Sequence, residues 1–116
     1  MFFPSHVRVF VATGFTDMRK SINGLSILVA QQLEMDPLSG HLFVFCNRRR
    51  NMVKILSWDR NGFCLWHKRL EKQFFRWPKD KTDIFEVDHR QLGWLLEGLD
   101  IHQHQAHHRL SYATVF

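Results

Sequence analysis

The sequence predicts an α+β domain, a small antiparallel β-meander sheet packed by one long N-terminal helix and a short C-terminal helix. Three observations carry that expectation. Short runs of β-branched and aromatic residues follow one another at close spacing. A single early stretch, Met18 to Glu34, carries its apolar residues at helical spacing instead. Asn61-Gly62 stands between two strand-like runs, which is the strongest short-range hairpin signal because both residues accept positive φ. With 116 residues, 45% of them apolar, one hydrophobic core is expected.

Val7 to Val11 reads as a short strand broken by Gly14. Thr16-Asp17 suit an N-cap, and Met18, Ile22, Leu25, Leu28, Val29 and Leu33 share one helical face, so the helix is expected over Met18 to Glu34, ahead of Pro37. Gly24 inside it costs about 1 kcal/mol relative to alanine and points to a kink or to close packing. Ser39-Gly40 is a turn, and His41 to Cys46 is a buried strand. Met52 to Trp58 and Phe63 to Leu70 are the hairpin strands, with the register across Asp59 to Gly62 open between a two-residue and a bulged three-residue turn. Glu71 to Gln73 turns the chain into a strand over Phe74 to Trp77 that Pro78 ends, and Ile84 to Val87 is one more. Asp88-His-Arg-Gln91 has the pattern of a capping box opening a short helix with Leu92, Leu95, Leu96 and Leu99, and Gly98 suits its terminating turn. No internal repeat or linker divides the chain, so residues 1–100 are expected as one domain. Residues 101–116 read as a His-rich, poorly ordered tail. Within it His104 and His108 are spaced as a helical metal pair, but no carboxylate or cysteine stands nearby.

Charge is concentrated. Between Arg48 and Lys81 lie eleven of the sixteen basic residues and three acids, a local balance of +8 in a chain of net +5. Trp58, Phe63, Trp66, Phe74, Phe75 and Trp77 are interleaved with them. A basic, aromatic-rich surface attracts a polyanion, of which nucleic acid is the commonest. The tryptophans are expected mostly in the core, with Trp77 beside Arg76 the one best suited to the surface. The run Arg48-Arg49-Arg50, between two strands, suits bidentate phosphate contacts, and Lys54, Lys68, Arg69, Lys72 and Arg76 extend it. Arg19 and Lys20, placed in the first turn of the long helix, either form an anion cradle with Gly14 and Thr16 or face solvent and pair with Asp17.

Other classes find less support. The chain has no apolar run near the length of a membrane span and no secretory leader pattern, so a cytoplasmic protein without membrane attachment is expected. Cys46 and Cys64 stand in apolar runs without a CxxC neighbour, and reduced packed cysteines are the simpler reading against a disulfide. No GxSxG, HExxH or P-loop is present. Asp17, Asp59, Glu71 and Glu97 do not occupy the buried strand positions that a metal-dependent nuclease would use. No catalytic residue, metal site or cofactor is assigned.

The ordered succession Ala12-Thr-Gly-Phe-Thr-Asp-Met-Arg-Lys20, Ser39-Gly-His-Leu-Phe-Val-Phe45 with Asn47-Arg-Arg49, Lys54-Ile-Leu-Ser-Trp-Asp59 with Gly62, Lys68-Arg-Leu-Glu71, Phe75-Arg-Trp-Pro78 and Leu95-Leu-Glu-Gly-Leu-Asp100 resembles a known family. It is that of the small Orf2-like (TnpB) accessory proteins of the insertion-sequence sixty-six group of bacterial transposable elements. The resemblance spans residues 4–100 and breaks off after Asp100. It implies a non-catalytic accessory role in DNA transposition, with DNA, a separate transposase and a companion accessory protein as partners. It carries no catalytic residue over, and among matching positions Arg19, Lys20, Arg48, Arg49, Lys54, Lys68 and Arg69 are those suited to touch DNA. A module that bridges the other proteins without binding DNA is the alternative.

Overall fold

A computed structural model describes Pro4 and residues 6–102. Of the expected tail, Ile101 is buried in the core and His102 is exposed, while residues 103–116, with the His104–His108 pair, lie outside the described residues. The elements are β1 (Val9–Ala12), α1 (Ile22–Gln31), β2 (Leu42–Cys46), β3 (Met52–Asp59), β4 (Gly62–Arg69), β5 (Ile84–Val87) and α2 (His89–Leu96), in an α+β arrangement. The sheet order is β4-β3-β2-β1-β5.

The expected all-antiparallel meander is corrected. β1 and β2 pair in parallel, Val9 opposite Leu42 and Val11 opposite Val44, while the other three pairings are antiparallel. The helix between β1 and β2 is the cause, because a strand–helix–strand connection returns the chain to the end at which it started. The mixed sheet therefore places the C-terminal ends of β1 and β2 at the same end of the sheet.

Alternation then divides the side chains between two faces. On one face Phe10, Phe43, Phe45 and Leu56 pack against Leu25 and Val29 of α1. On the other, Val9, Val11, Val44, Val53 and Ile55 pack against Leu92, Leu95 and Leu96 of α2 and against Phe75 and Trp77. The result is a sheet sandwiched between two layers.

Several boundaries differ from expectation. α1 starts at Ile22, not Met18, because Asp17 closes its own tight turn: its carboxylate accepts from the Arg19 N–H at 2.9 Å and its carbonyl from the Lys20 N–H at 3.1 Å. Ser21 takes the N-cap position, and Glu34, expected as helical, sits in left-handed geometry at φ 54°. Gly24 allows close approach, since a Cβ there would meet the Lys20 Cβ at 3.2 Å. The expected strand over Phe74 to Trp77 does not form. That segment alternates exposed Phe74 and Arg76 with buried Phe75 and Trp77, but joins no ladder. Trp77, expected nearest the surface, is only 8% exposed and donates its indole N–H to the Ala12 carbonyl at 2.8 Å.

The β3–β4 register is resolved with Asp59 opposite Gly62 and Trp58 opposite Phe63, so the turn is Arg60-Asn61. The residue with positive φ there is Arg60, at 53°, not the Asn61-Gly62 pair. The capping box at α2 is present as expected: the Asp88 carboxylate accepts from the Gln91 N–H at 2.7 Å, and the Gln91 side-chain oxygen from the Asp88 N–H at 2.9 Å. Gly98 supplies the left-handed conformation (φ 84°) after α2.

Candidate nucleic-acid interface

The parallel pair gathers three sequence-distant loops at the strand ends. Loop 13–21 leaves β1, loop 47–51 leaves β2, and segment 70–83 crosses the same end of the sheet from β4 to β5. Backbone hydrogen bonds bind them together. The Thr16 N–H donates to the Cys46 carbonyl at 2.8 Å, the Phe75 N–H to the Arg50 carbonyl at 2.7 Å, and the Thr13 N–H to the Asp83 carbonyl at 3.0 Å. Within the arginine loop, the Asn47 side-chain oxygen accepts from the Asn51 and Met52 N–H groups, both at 3.1 Å, and its amide donates to the Asn51 side chain at 2.8 Å. Arg50 completes the turn at φ 60°. Such a bracket holds three adjacent cations on a defined backbone.

Charge follows this geometry closely. The three loops carry nine basic and four acidic side chains, a balance of +5 equal to that of the whole chain. The seven basic and seven acidic side chains elsewhere cancel. Arg48, Arg49 and Arg50 are exposed, and among the described residues none has a carboxylate within ion-pair distance. The same holds for exposed Lys20, Lys72 and Arg76, and for Lys79 and Lys81, which the sequence reading did not single out.

Other expected contact residues are engaged elsewhere. Arg19, 91% exposed at its side chain, pairs with Asp17 at 2.6 Å. The Arg19 side chain, and then its backbone N–H, hold the Asp17 carboxyl down at about 2. This pairing is the alternative weighed for Arg19, and both Arg19 and Lys20 lie before α1, not in its first turn. Arg69 reaches Glu71 at 3.1 Å. Lys54 and Lys68 leave the exposed cluster altogether. The Lys54 ammonium donates to the Met18 and Lys20 carbonyls, both at 2.9 Å, and so anchors the loop before α1. The Lys68 ammonium, on the opposite face, donates to the Leu96 carbonyl at 2.8 Å, at the negative end of α2.

Two exposed aromatic rings stand among these cations: the sequence reading named Phe74 only as one of six interleaved aromatics and did not single out Phe15. Phe15 and Phe74 are 46% and 58% exposed, and each lies beneath a loop arginine: Arg48 is 5.8 Å from the Phe15 ring centroid and Arg50 is 6.0 Å from that of Phe74. Phe15 lines several concavities. One of about 680 Å³ lies between loop 13–21 and Asn47, Arg48 and Arg49, and one of about 410 Å³ is bounded by Arg48, Arg50, Trp77 and Lys79. The signal for Phe15 was its place between Gly14 and Thr16, outside any apolar periodicity. Another concavity, of about 760 Å³, lies at the other end of the sheet around Leu38, Trp58, Cys64 and Trp66 and contains none of the loop cations.

Among the described residues no three of His, Cys, Asp and Glu converge as a metal site would need. Burial pushes the Cys46 thiol up to about 12, and Cys64 is a free, exposed cysteine. No described helix is long and apolar enough to cross a membrane.

The family described as "IS66 Orf2 like protein" has a sequence model that matches residues 7–106. The chain is 40% identical over 95 residues to the uncharacterized protein y4hO of Sinorhizobium fredii, covering 82% of this chain and 83% of that one. It is 36% identical over 94 residues to the uncharacterized protein y4jC of the same organism, covering 81% and 80%. No solved structure matches.

Proposed function

The chain belongs to the IS66 Orf2-like family, and from that premise we propose that it is a non-catalytic accessory factor of insertion-sequence transposition that binds DNA phosphates through its strand-end loops. One observation carries this reading: the chain's net charge resides in three loops that the fold brings to one end of the sheet, while the remainder is neutral. Arginines without carboxylate partners, on a bracketed loop, are suited to bidentate phosphate contact. Contacts of this kind fix position on the duplex and carry no base information, so binding is weakly sequence-specific and strongly salt-dependent. The protein would act in the cytoplasm beside a separate transposase.

Gel-shift titration across salt tests the reading. Each phosphate contact contributes a slope of about −0.9 in log affinity against log salt. Replacing Arg48, Arg49 and Arg50 together by alanine is expected to reduce the slope by up to about three units. Absence of affinity for DNA at low ionic strength defeats it.

A second reading, a module bridging the transposase and the companion accessory protein, is favoured by the apolar concavity around Leu38 and Trp66, both exposed. Co-purification with and without nuclease separates the two, because a complex that survives nuclease and retains no DNA supports bridging.

A further inference from the structure

We propose that the strand-end face takes single-stranded DNA, with unpaired bases stacking on Phe15 and Phe74 and the phosphates between them held by Arg48, Arg49 and Arg50. The inference rests on the DNA-binding reading and names the form of DNA. An exposed aromatic ring among cations contributes little to folding, since much of its apolar surface stays in water. Here there are two, one on each side of a single arginine turn, and the turn's first and last arginines lie over them. Arginine beside an exposed aromatic is the arrangement that binds unpaired strands: the ring stacks on a base and the guanidinium answers the adjoining phosphate. B-form duplex cannot use it in the same way, because its base faces are already stacked and only base edges reach the grooves. The concavities that Phe15 lines leave room around that ring. Stacking is tolerant of sequence, so the preference is for strand state, not for a motif.

The assay is fluorescence anisotropy of the full chain with an oligothymidylate of about 15 nucleotides and with a mixed-sequence duplex of the same length, at one salt concentration. Phe15→Leu, Phe74→Leu and Arg49→Ala are compared after circular dichroism has verified their folding. The expected result is tighter binding of the single strand. Each phenylalanine replacement should weaken it by about fivefold or more, with little change for duplex. Arg49→Ala should weaken both. Duplex binding equal to or tighter than single-strand binding, unaffected by the phenylalanine replacements, overturns the stacking assignment and leaves the phosphate-binding reading standing. Duplex binding that falls with Phe15→Leu and Phe74→Leu also overturns it, in favour of rings wedged between paired steps. Absence of binding to either probe overturns both readings.

Discussion

Lys54 gives the sharpest separation between a basic residue that builds the fold and one that meets a partner. It stands within the +8 stretch, yet its ammonium donates to two carbonyls of the loop before α1, at 2.9 Å each. Lys54→Met keeps most of the apolar stem and removes both bonds. A hydrogen bond with a charged partner contributes about 1.5–3 kcal/mol. The Met18 contact is partly buried and loses most of that amount, while the Lys20 contact is exposed and water replaces much of it. The expected net cost is about 2 kcal/mol, at the middle of that single-bond range. For a domain of this size that lowers Tm by about 8 °C, at roughly 4 °C per kcal/mol. Lys72→Met, at an exposed side chain with no ion pair among the described residues, should stay within about 0.5 kcal/mol of the parent. Thermal melting by circular dichroism reads the stability, and anisotropy with labelled DNA reads the binding. An unchanged Tm in Lys54→Met, with DNA affinity reduced as much as in Arg49→Ala, would refute the assignment of Lys54 as a clamp.

Three further expectations follow from the same structure. Exposed Cys64 should react with a thiol reagent in the native protein at neutral pH, whereas Cys46, buried and pushed up to about 12, should react only on unfolding; mass spectrometry of the labelled peptides decides it. The Asp17 carboxyl, held down at about 2 by Arg19, should titrate near that value by NMR, and Arg19→Ala should return it towards the ordinary 3.8. Because its folded value is depressed, the stabilising contribution of this pair is present above pH 3.8 and fades as pH falls towards 2. Arg60→Gly relieves a left-handed conformation in the β3–β4 turn and should stabilise the chain by about 0.5–1 kcal/mol, read as a raised midpoint in urea.

Local patterns in the sequence indicated most of the elements and less of their arrangement. The hairpin strands, β2, β5 and the Asp88–Gln91 capping box depend on neighbours a few residues apart, so each was legible. The parallel pairing of β1 with β2 depends on where a whole helix delivers the chain, and a preference for antiparallel neighbours hid it. Phe74 to Trp77 has the alternation of a strand, but alternation records which side chains face a core and not whether the backbone finds a ladder. At the candidate site, the arginine turn was legible because no strand pattern explains three adjacent cations. Lys54 and Lys68 were not separable from it, since their partners are backbone carbonyls 36 and 34 residues away for Lys54 and 28 residues away for Lys68. Phe74 could not be told from its five aromatic neighbours, because an aromatic side chain in a core-rich sequence gives no sign of the face on which it lies, and for Phe15 the only signal was its place in a loop between Gly14 and Thr16.

The hydrogen bonds from Phe75 to the Arg50 carbonyl and from Trp77 to the Ala12 carbonyl also have a genetic consequence. A nonsense or frameshift mutation between the codons of Leu70 and Phe75 would leave all three loop arginines encoded, yet remove both tethers together with β5 and α2. The fragment would retain the basic residues without the scaffold that presents them. A damaged copy of the gene can thus preserve the arginine motif at the sequence level and have lost the surface it makes.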